Sequence, residues 1–365
     1  MEADVIVIGS GQAGVPLASR LAAAGKRVII AERKDLGGTC VNVGCTPTKT
    51  MIASARAAQV ARSAARLGVR AGEVSVDLAK VVDRKDSIVR EWREGVARRL
   101  KGERITVVNG AARFTGPRQV SVGGEVHTAE TIVINVGARP VVPPVEGLDR
   151  TPFLDNATLM QVRELPGHLL ILGGGYIGCE FGQMFRRFGS KVTIADRSGH
   201  LMAREDPDVS AALEGAFRAE GIALELGAKV SSVSGSAGDI RVKLEGGKEL
   251  RGSHLLVAVG RRPNTDDLGC DRAGVRLDEK GSVLADGHYR TSAQGIYAVG
   301  DVLGGPQFTH TSWDDHRILF DILLGRGRRT RKDRLIPYTA FTDPQVAGVG
   351  LTEKEARERG VKFES

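Results

Sequence analysis

Short apolar runs alternate with segments of helical periodicity along this chain. Runs such as VIVIG, at 5–9, and LLILGGG, at 169–175, have the length of a buried strand rather than of a membrane span. Two longer segments, roughly 48–66 and 78–100, have helical patterns. The apolar stripe of the second comprises Leu78, Val81, Val82, Ile88, Val89, Trp92, Val96 and Leu100. We expect this stripe to pack in the core or between subunits, without a cofactor role for Trp92.

The first apolar run leads into a glycine-rich turn, GSGQAG at 9–14, which a helix and a second apolar strand follow. In a dinucleotide-binding βαβ unit, Gly9 permits the tight turn, Gly11 lets a pyrophosphate approach the backbone, and Gly14 lets the helix pack on the strand. Glu32, at the end of the second strand, would accept a hydrogen bond from a ribose hydroxyl. The cofactor contacts predicted here are Gly9, Gly11, Gln12, Ala13, Gly14, Glu32 and Arg33.

The same pattern recurs at 169–196, LLILGGGYIGCEFGQMFRRFGSKVTIAD. Glu32 and Asp196 each lie 23 residues after the first glycine of their motif. The cofactor contacts predicted for this copy include Gly173, Gly175, Ile177, Gly178 and Asp196. The repeat therefore predicts a second dinucleotide site.

Each copy also has a later strand that ends in a glycine, Gly137 in TIVINVGARP and Gly260 in LLVAVGRRPN. We therefore predict an α/β chain with two Rossmann-like, three-layer ββα domains, whose β-meander insertions lie at 104–128 and 222–250. Two dinucleotide sites in one chain suggest that electrons pass between two cofactors, and nicotinamide and flavin are the obvious couple.

Composition narrows the class of protein. The chain has 365 residues, 41% of them hydrophobic, and a formal net charge of +8. Its dense basic run, GRGRRTRKDR at 325–334, contains no aromatic residue that could stack on a base, so we expect a solvated connection and no nucleic-acid partner. The acidic start, MEAD, leads straight into a strand. We therefore expect no signal peptide, no membrane partner and a cytoplasmic location.

The chain has four cysteines, of which Cys40 and Cys45 lie close together. We expect no metal site, because none of the seven histidines shows the spacing of zinc ligands. A structural disulfide is unusual in a reducing compartment, which favours a redox-active pair. On an ideal helix two such residues face about 140° apart, so a bond between them requires the irregular turn that Gly44 permits. We expect the other two cysteines, Cys179 and Cys270, to be buried small apolar residues.

The segment that holds the pair, GGTCVNVGCTPTK at 37–49, resembles the active-site motif of the class I pyridine nucleotide–disulfide oxidoreductases. That family includes glutathione reductase, dihydrolipoamide dehydrogenase and mercuric reductase. TSAQGIYAVGD, at 291–301, is similar to its second flavin motif, and FTDPQVAGVGLTEKEA, at 341–356, looks like the opening of its interface domain. The segments CVNVGC, REDP and FTDPQVA lean towards mercuric reductase and its relatives.

The resemblance implies both a domain order and catalytic roles. The predicted domains are FAD-binding residues 1–148 and 265–332, NAD(P)-binding residues 149–264, and an incomplete α+β interface domain, 333–365. Cys45 would face the flavin, and Cys40 would attack the substrate. Lys49 would lie near the flavin, paired with Glu180, and Tyr176 would cover the flavin until nicotinamide enters. The alternatives are that Tyr176 is a core aromatic residue and that Glu180 is a helix-surface acid.

Further cofactor contacts follow from the same resemblance. On the FAD side they are Gly38, Thr39, Cys45, Lys49, Ala112, Gly137, Gly300 and Asp301, and on the NAD(P) side Tyr176, Glu180, Arg197, Arg204 and Gly260. Asp196 suggests the free 2′-hydroxyl of NAD, whereas Arg197 and Arg204 suggest the 2′-phosphate of NADP. The resemblance to mercuric reductase favours NADPH.

The implied reaction passes hydride from NAD(P)H to FAD, and the electron pair then to the Cys40–Cys45 disulfide and to a substrate. Substrates consistent with the resemblance are Hg(II), glutathione disulfide, lipoamide or another small disulfide. Family members continue beyond the equivalent of Ser365 and supply a His–Glu pair to a partner subunit. We therefore expect a homodimer for the full-length parent, and either a fragment or a truncated form here. A non-catalytic flavin- and nucleotide-binding protein is the alternative.

Overall fold

A computed structural model describes residues 1–102 and 104–365 of the chain. The strands are β1 Glu2–Ile8, β2 Val28–Glu32, β3 Ile105–Asn109, β4 Ala112–Gly116, β5 Gln119–Val122, β6 Glu125–Ile134, β7 Ala138–Pro140, β8 His168–Leu172, β9 Lys191–Asp196, β10 Ala223–Leu226, β11 Val230–Ser236, β12 Asp239–Leu244, β13 Glu249–Gly252, β14 His254–Val257, β15 Arg261–Pro263, β16 Ile296–Ala298, β17 Tyr338–Ala340 and β18 Val346–Gly348.

The α-helices are α1 Gly14–Ala23, α2 Gly38–Val43, α3 Cys45–Ser63, α4 Leu78–Leu100, α5 Asn156–Leu159, α6 Tyr176–Phe188, α7 Pro207–Ala219, α8 Thr309–Leu323 and α9 Glu353–Glu358. Short 3₁₀ helices lie at Ala64–Leu67, Cys270–Ala273 and Gly300–Leu303. Within the described residues, none of these helices is both long and apolar enough to cross a membrane.

The chain forms two compact units. The first unit comprises Met1–Thr46, Ile88–Arg139 and Arg261–Ile336, and the second comprises Pro47–Ser87, Pro140–Gly260 and Pro337–Ser365. Each unit is built from segments that are far apart in sequence. The domain boundaries inferred from the family resemblance stay a prediction.

The first unit is organised around a sheet with the strand order β3-β2-β1-β6-β5-β4. β3, β2, β1 and β6 are parallel, β16 runs parallel to the end of β6, and β5 and β4 continue the sheet in antiparallel fashion. Side chains alternate across β1: Ile6 packs with Phe114 of the meander, whereas Val7 packs with Leu17 and Leu319 of the helices. The parallel sheet is therefore covered on both faces, which explains its nearly continuous apolar strands.

The second unit repeats this arrangement. Its parallel sheet has the order β10-β9-β8-β14, and a separate antiparallel meander has the order β11-β12-β13. Leu170 packs with Val242 of the meander. On the other face Gly182 of α6 approaches the sheet so closely that an added Cβ would lie 2.9 Å from Ile194 Cδ1. The two Rossmann-like layered units expected from the repeat are thus confirmed.

The meander boundaries predicted at 104–128 and 222–250 were wrong in one respect. The first strand of each segment, β3 or β10, pairs in parallel with the strand that carries the acid, β2 or β9. The antiparallel strands begin only at Ala112 and Val230. Both misplaced strands lie at the edge of a parallel sheet, where partial burial produces the mixed polarity that is typical of a meander strand.

The helical patterns are confirmed with a shift in the first. The predicted helix at 78–100 is α4, and its Trp92 side chain is 56% exposed. The helix predicted at 48–66 begins at Cys45 and passes into the 3₁₀ helix after Ser63. The earlier start matters chemically, because it places a cysteine in the first turn of a long helix.

Candidate active site

The two cysteines of the predicted redox pair belong to the first unit and lie in consecutive helices. Cys40 lies in α2, which ends at Val43, and Cys45 is the first residue of α3. Gly44 forms the break between them, and a Cβ on it would lie 2.8 Å from the Thr39 carbonyl oxygen and 3.1 Å from Cys40 Cα. The irregular turn that the pair requires is therefore present, and glycine is the residue that fits it.

The environment of the pair makes its two sulfurs unequal. Cys40 is partly buried, whereas Cys45 is exposed. A hydrogen bond to the Cys45 side chain, reinforced by burial, raises the pKa of Cys40. Cys45 Sγ lies 3.0 Å from the Thr309 hydroxyl and at the start of α3, where the helix dipole stabilises negative charge. Cys40 therefore keeps its proton while Cys45 is the sulfur suited to carry the thiolate.

Thr309 was not found by sequence reasoning. It opens α8, so the helix starts of α3 and α8 meet at the Cys45 sulfur. It lies 264 residues from Cys45 and belongs to no motif that the sequence displays. The one weak signal in the sequence is that Thr309 is a polar residue at the start of a helical pattern, shortly after the second flavin motif.

The second unit contains the expected lysine–glutamate pair. Lys49 Nζ donates to both carboxylate oxygens of Glu180, at 2.8 and 2.7 Å. Glu180 is 7% exposed, so it is not the helix-surface acid of the alternative reading. A residue missed from the sequence completes the cluster: Phe341 donates its N–H to Glu180 Oε1 at 2.9 Å, and its ring lies 4.6 Å from Lys49 Nζ.

Tyr176 forms a further cluster in the second unit. It is the first residue of α6, is half-buried, and donates its hydroxyl to Glu205 Oε1 at 3.0 Å. Tyr338 donates to the other oxygen of the same carboxylate at 2.7 Å. Burial and the Glu205 charge raise the pKa of Tyr176, so its phenol remains a donor throughout the neutral range.

The first glycine motif packs against the backbone and the side chain of Asn135. Gly9 has φ +105°, and an added Cβ would overlap the Asn135 carbonyl oxygen. A Cβ on Gly14 would overlap the Gly9 carbonyl oxygen, which accepts a hydrogen bond from Asn135 Nδ2 at 2.9 Å. A Cβ on Gly38 would lie 2.8 Å from Gly11 Cα. The turn is therefore packed too tightly for side chains at these positions, as a glycine turn that binds a dinucleotide requires.

The two acids of the repeat are held in the same way. Glu32 accepts hydrogen bonds from the N–H groups of Ser10 and Lys34, each at 3.0 Å. Asp196 accepts from those of Gly174 and Ser198, at 2.5 and 2.6 Å. In each copy the carboxylate thus bridges the second residue of the glycine motif and the residue two positions after itself. Carboxylate oxygens have further acceptor capacity, so each can also bind a ribose hydroxyl.

The second glycine motif has the same tight contacts. Cβ atoms on Gly173 and Gly178 would overlap the carbonyl oxygens of Ala258 and Gly173, whereas Gly175 faces open space. The side chains of Arg197 and Arg204 are exposed. The second turn is thus packed as tightly as the first, and two exposed cations follow it in the sequence.

A buried carboxylate, also missed from the sequence, supports the second flavin motif. Gly300 starts a 3₁₀ helix, and its N–H donates to Asp315 at 2.7 Å. Asp315 is 1% exposed and also accepts from Tyr289 and Arg334. It fixes the turn that carries the half-buried Asp301, whose pKa is raised by burial.

The remaining predicted contacts occupy ordinary positions. Two of them make polar contacts: Gln12 donates to the Gly37 carbonyl oxygen at 3.5 Å, and Arg33 forms an ion pair with Asp267 at 3.6 Å. Ala13 is buried, and Gly137 and Gly260 have φ angles of +66° and +132°. The others lie in regular elements: Thr39 in α2, Ala112 at the start of β4 and Ile177 in α6.

Two other sets of residues were singled out from the sequence. Cys179 and Cys270 are 0% and 4% exposed, as expected of small apolar residues. In the basic run, Arg329 and Arg334 pair with Asp314. Among the residues that the structure describes, no group of three His, Cys, Asp or Glu side chains is arranged to hold a metal ion.

Known proteins are similar to this chain in sequence and in fold. Residues 3–315 match the family model for pyridine nucleotide-disulphide oxidoreductases. A probable pyridine nucleotide-disulfide oxidoreductase of Escherichia coli K12, RclA, is 39% identical over 99% of this chain and 80% of its own length. Mercuric reductase of Streptomyces lividans is 37% identical over 99% and 78%. A solved Cu(II) complex of the HOCl-induced flavoprotein disulfide reductase RclA from Escherichia coli matches with a TM-score of 0.89 and 39% identity, covering 97% of this chain and 79% of that one.

The family match spans most of the chain, from β1 into α8, and includes both glycine motifs and the cysteine pair. The relatives are similar over nearly the whole chain and at an identity that shows common descent. The chain therefore belongs to the pyridine nucleotide-disulphide oxidoreductases, flavin-dependent enzymes that use FAD and NAD(P)H.

Proposed function

We propose that this enzyme uses NADPH to reduce a thiophilic metal ion or a small disulfide through the Cys40–Cys45 pair. The observation that carries the proposal is the inequality of the two sulfurs. A hydrogen bond to the Cys45 side chain and burial raise the pKa of Cys40, and the opposing effect of Thr309 on Cys40 is smaller, whereas Cys45 Sγ lies 3.0 Å from the Thr309 hydroxyl at the start of α3. A pair of sulfurs polarised in this way can take up an electron pair as the disulfide and release it again as the dithiol.

The cysteine pair would carry two electrons from the flavin to the substrate. Bound FAD supplies the redox chemistry, because it accepts hydride from NAD(P)H and passes an electron pair to a disulfide. Reduction of the Cys40–Cys45 disulfide consumes that pair and one proton. It leaves a thiol at Cys40 and a thiolate at Cys45. Cys40 is then the sulfur that attacks the substrate, once a base has taken its proton, and Cys45 re-forms the disulfide when the electron pair leaves.

The chain's own residues would hold the two nucleotides. The glycine motif with Glu32 would bind the adenosine and pyrophosphate of FAD, and Asp301 its ribityl chain, with residues 1–148 and 265–332 as the FAD domain. The second motif, within 149–264, would bind the nicotinamide nucleotide, with Tyr176 as a gate for the nicotinamide. Lys49, oriented by Glu180, would lie near the flavin ring. We propose that the full-length parent is a cytoplasmic homodimer, and that 333–365 opens the domain that forms its interface.

NADPH is the proposed reductant because of the charges that follow Asp196. Arg197 and Arg204 are exposed, and the guanidinium fork suits a 2′-phosphate. Replacing both with alanine should raise KM for NADPH about tenfold or more and leave KM for NADH nearly unchanged. Equal effects on the two nucleotides would contradict the assignment.

The substrate class rests on soft-ligand chemistry and on the relatives. Two adjacent sulfurs favour soft metal ions. The relatives include a mercuric reductase and a disulfide reductase whose structure was solved as a Cu(II) complex. Small-molecule disulfides undergo exchange with the same thiolate. We expect neither a nucleic-acid nor a membrane partner.

An anaerobic titration tests this function. The FAD-loaded protein and the variants Cys40→Ser and Cys45→Ser are titrated with NADPH, and the electrons taken up per flavin are counted. Wild type should take up one electron pair more than either variant. Turnover with Hg(II), Cu(II), glutathione disulfide and lipoamide then identifies the substrate. Equal uptake by all three proteins would refute a redox-active pair.

A further inference from the structure

The carboxylate of Glu205 lies between two tyrosines in the second unit. It accepts from Tyr176 at 3.0 Å and from Tyr338 at 2.7 Å, one phenol on each oxygen. The two rings are 6.2 Å apart and inclined by 52°. Glu205 is 8% exposed, so its carboxylate has little contact with water, whereas both tyrosines are half-buried. Neither the glycine motif nor the acid at the end of β9 explains this cluster.

A buried carboxylate is a strong anchor for a phenol. Hydrogen bonds to a charged acceptor are roughly twice as strong as those between neutral groups. The backbone also restrains Glu205, because its N–H donates to the Met202 carbonyl oxygen at 2.8 Å, and Met202 N–H donates to Gly174 in the glycine motif. The anchor is therefore tied to the phosphate-binding turn itself, which makes it a fixed point against which Tyr176 is held.

We propose that Glu205 is a positioning residue that latches Tyr176 and so controls entry of the nicotinamide ring. This inference rests on the proposed function, in which Tyr176 is the nicotinamide gate. The tyrosine moves aside only when its hydroxyl leaves Glu205. Tyr338 keeps the carboxylate hydrogen-bonded after that departure, so the open gate does not leave a buried charge unpaired.

The latch should weaken the binding of nicotinamide nucleotides, because it stabilises the closed position of Tyr176. When the binding-competent state is a minor one, the apparent dissociation constant increases by the inverse of its population. Loss of a charge-assisted hydrogen bond from the closed state should therefore raise affinity about tenfold. A nucleotide without nicotinamide does not require the tyrosine to move, so its affinity should not change.

Calorimetric titrations of the oxidised FAD-loaded enzyme test the latch. The ligands are NADP⁺ and adenosine 2′,5′-bisphosphate, which lacks nicotinamide. Tyr176→Phe removes the bond and should lower the Kd for NADP⁺ about tenfold. Glu205→Gln replaces the charged acceptor by a weaker neutral one and should lower the Kd about threefold, and the double variant should do no more than Tyr176→Phe alone. None should alter the Kd of the bisphosphate. Tyr297→Phe, a half-buried tyrosine of the first unit, is the control and should change neither constant.

The outcomes separate the latch from the gate. Tyr176→Ala removes the ring and should also tighten NADP⁺ binding. If it does so while Glu205→Gln has no effect, the gate exists without the latch and this inference is overturned. If Tyr176→Ala leaves NADP⁺ binding unchanged, the gate itself fails. Weaker NADP⁺ binding by Glu205→Gln, with unchanged flavin content, would also overturn the latch, because the bond would then favour the open position.

Discussion

Replacing Lys49 with methionine should destabilise the second unit, because it leaves Glu180 as a buried carboxylate with one donor. Glu180 is 7% exposed and would keep only the Phe341 N–H among its three hydrogen bonds. Removing one partner of a fully buried pair costs about 3–5 kcal/mol. The Lys49 side chain is 33% exposed, so water can replace part of the interaction, and we expect about 2–3 kcal/mol. Glu180→Gln should cost about 1–2 kcal/mol, since Lys49 regains solvent.

The double variant separates the pair from its surroundings. Lys49→Met/Glu180→Gln removes both charges, so it should cost at least about 1 kcal/mol less than the sum of the single variants. Hydrogen exchange of the peptides that contain Phe341 and α6 measures the local free energy of opening without assuming two-state unfolding. Lys248→Met is the matched control, because its pair with Glu225 is as short, at 2.6 Å, but exposed, and it should change stability by less than about 0.5 kcal/mol. Additivity of the two single variants would refute the argued coupling.

Three further predictions concern other parts of the chain. Gly178→Ala should lower the melting temperature and abolish NADPH binding, because its Cβ overlaps the Gly173 carbonyl, whereas Gly215→Ala, in open space on α7, should add about 0.5–1 kcal/mol of stability in thermal melts. Thr309→Val should slow alkylation by iodoacetamide near neutral pH several-fold, which mass spectrometry can follow, since the hydroxyl no longer stabilises the Cys45 thiolate; an unchanged rate contradicts that role. Burial lowers the pKa of His316 to about 4 in the folded protein. As the pH falls, the unfolded chain therefore binds a proton at this histidine before the folded protein does, and the free energy of unfolding decreases. Between pH 7 and 5 urea unfolding should show a loss of about 2 kcal/mol that His316→Phe removes, and an equal loss in the variant would assign it to other groups.

Local sterics explain why so much of the nucleotide-binding framework can be predicted. Gly9 and Gly14 belong to one turn, and the atom that a Gly14 Cβ would meet is the Gly9 carbonyl oxygen. Gly44 meets Thr39 and Cys40 within the same few residues. These constraints act over short stretches of chain, so they appear as fixed spacings. The edge strands β3 and β10 are the counterexample, because partial burial makes a parallel edge strand look like part of a meander.

The repeated βαβ units, the acids that follow them and the closely spaced cysteines can be read from the sequence, since each depends on residues that are near one another in the chain. The groups that surround them are known only from the folded chain. Thr309 reaches Cys45 across 264 residues, and Phe341 reaches Glu180 across 161. Glu205 bridges Tyr176 and Tyr338 from two different segments. This is because the periodicity of a segment and the sterics of its turns indicate only on which face of a helix or strand a side chain lies. Which distant side chain meets that face follows from the packing of elements whose separation leaves no regular spacing in the sequence.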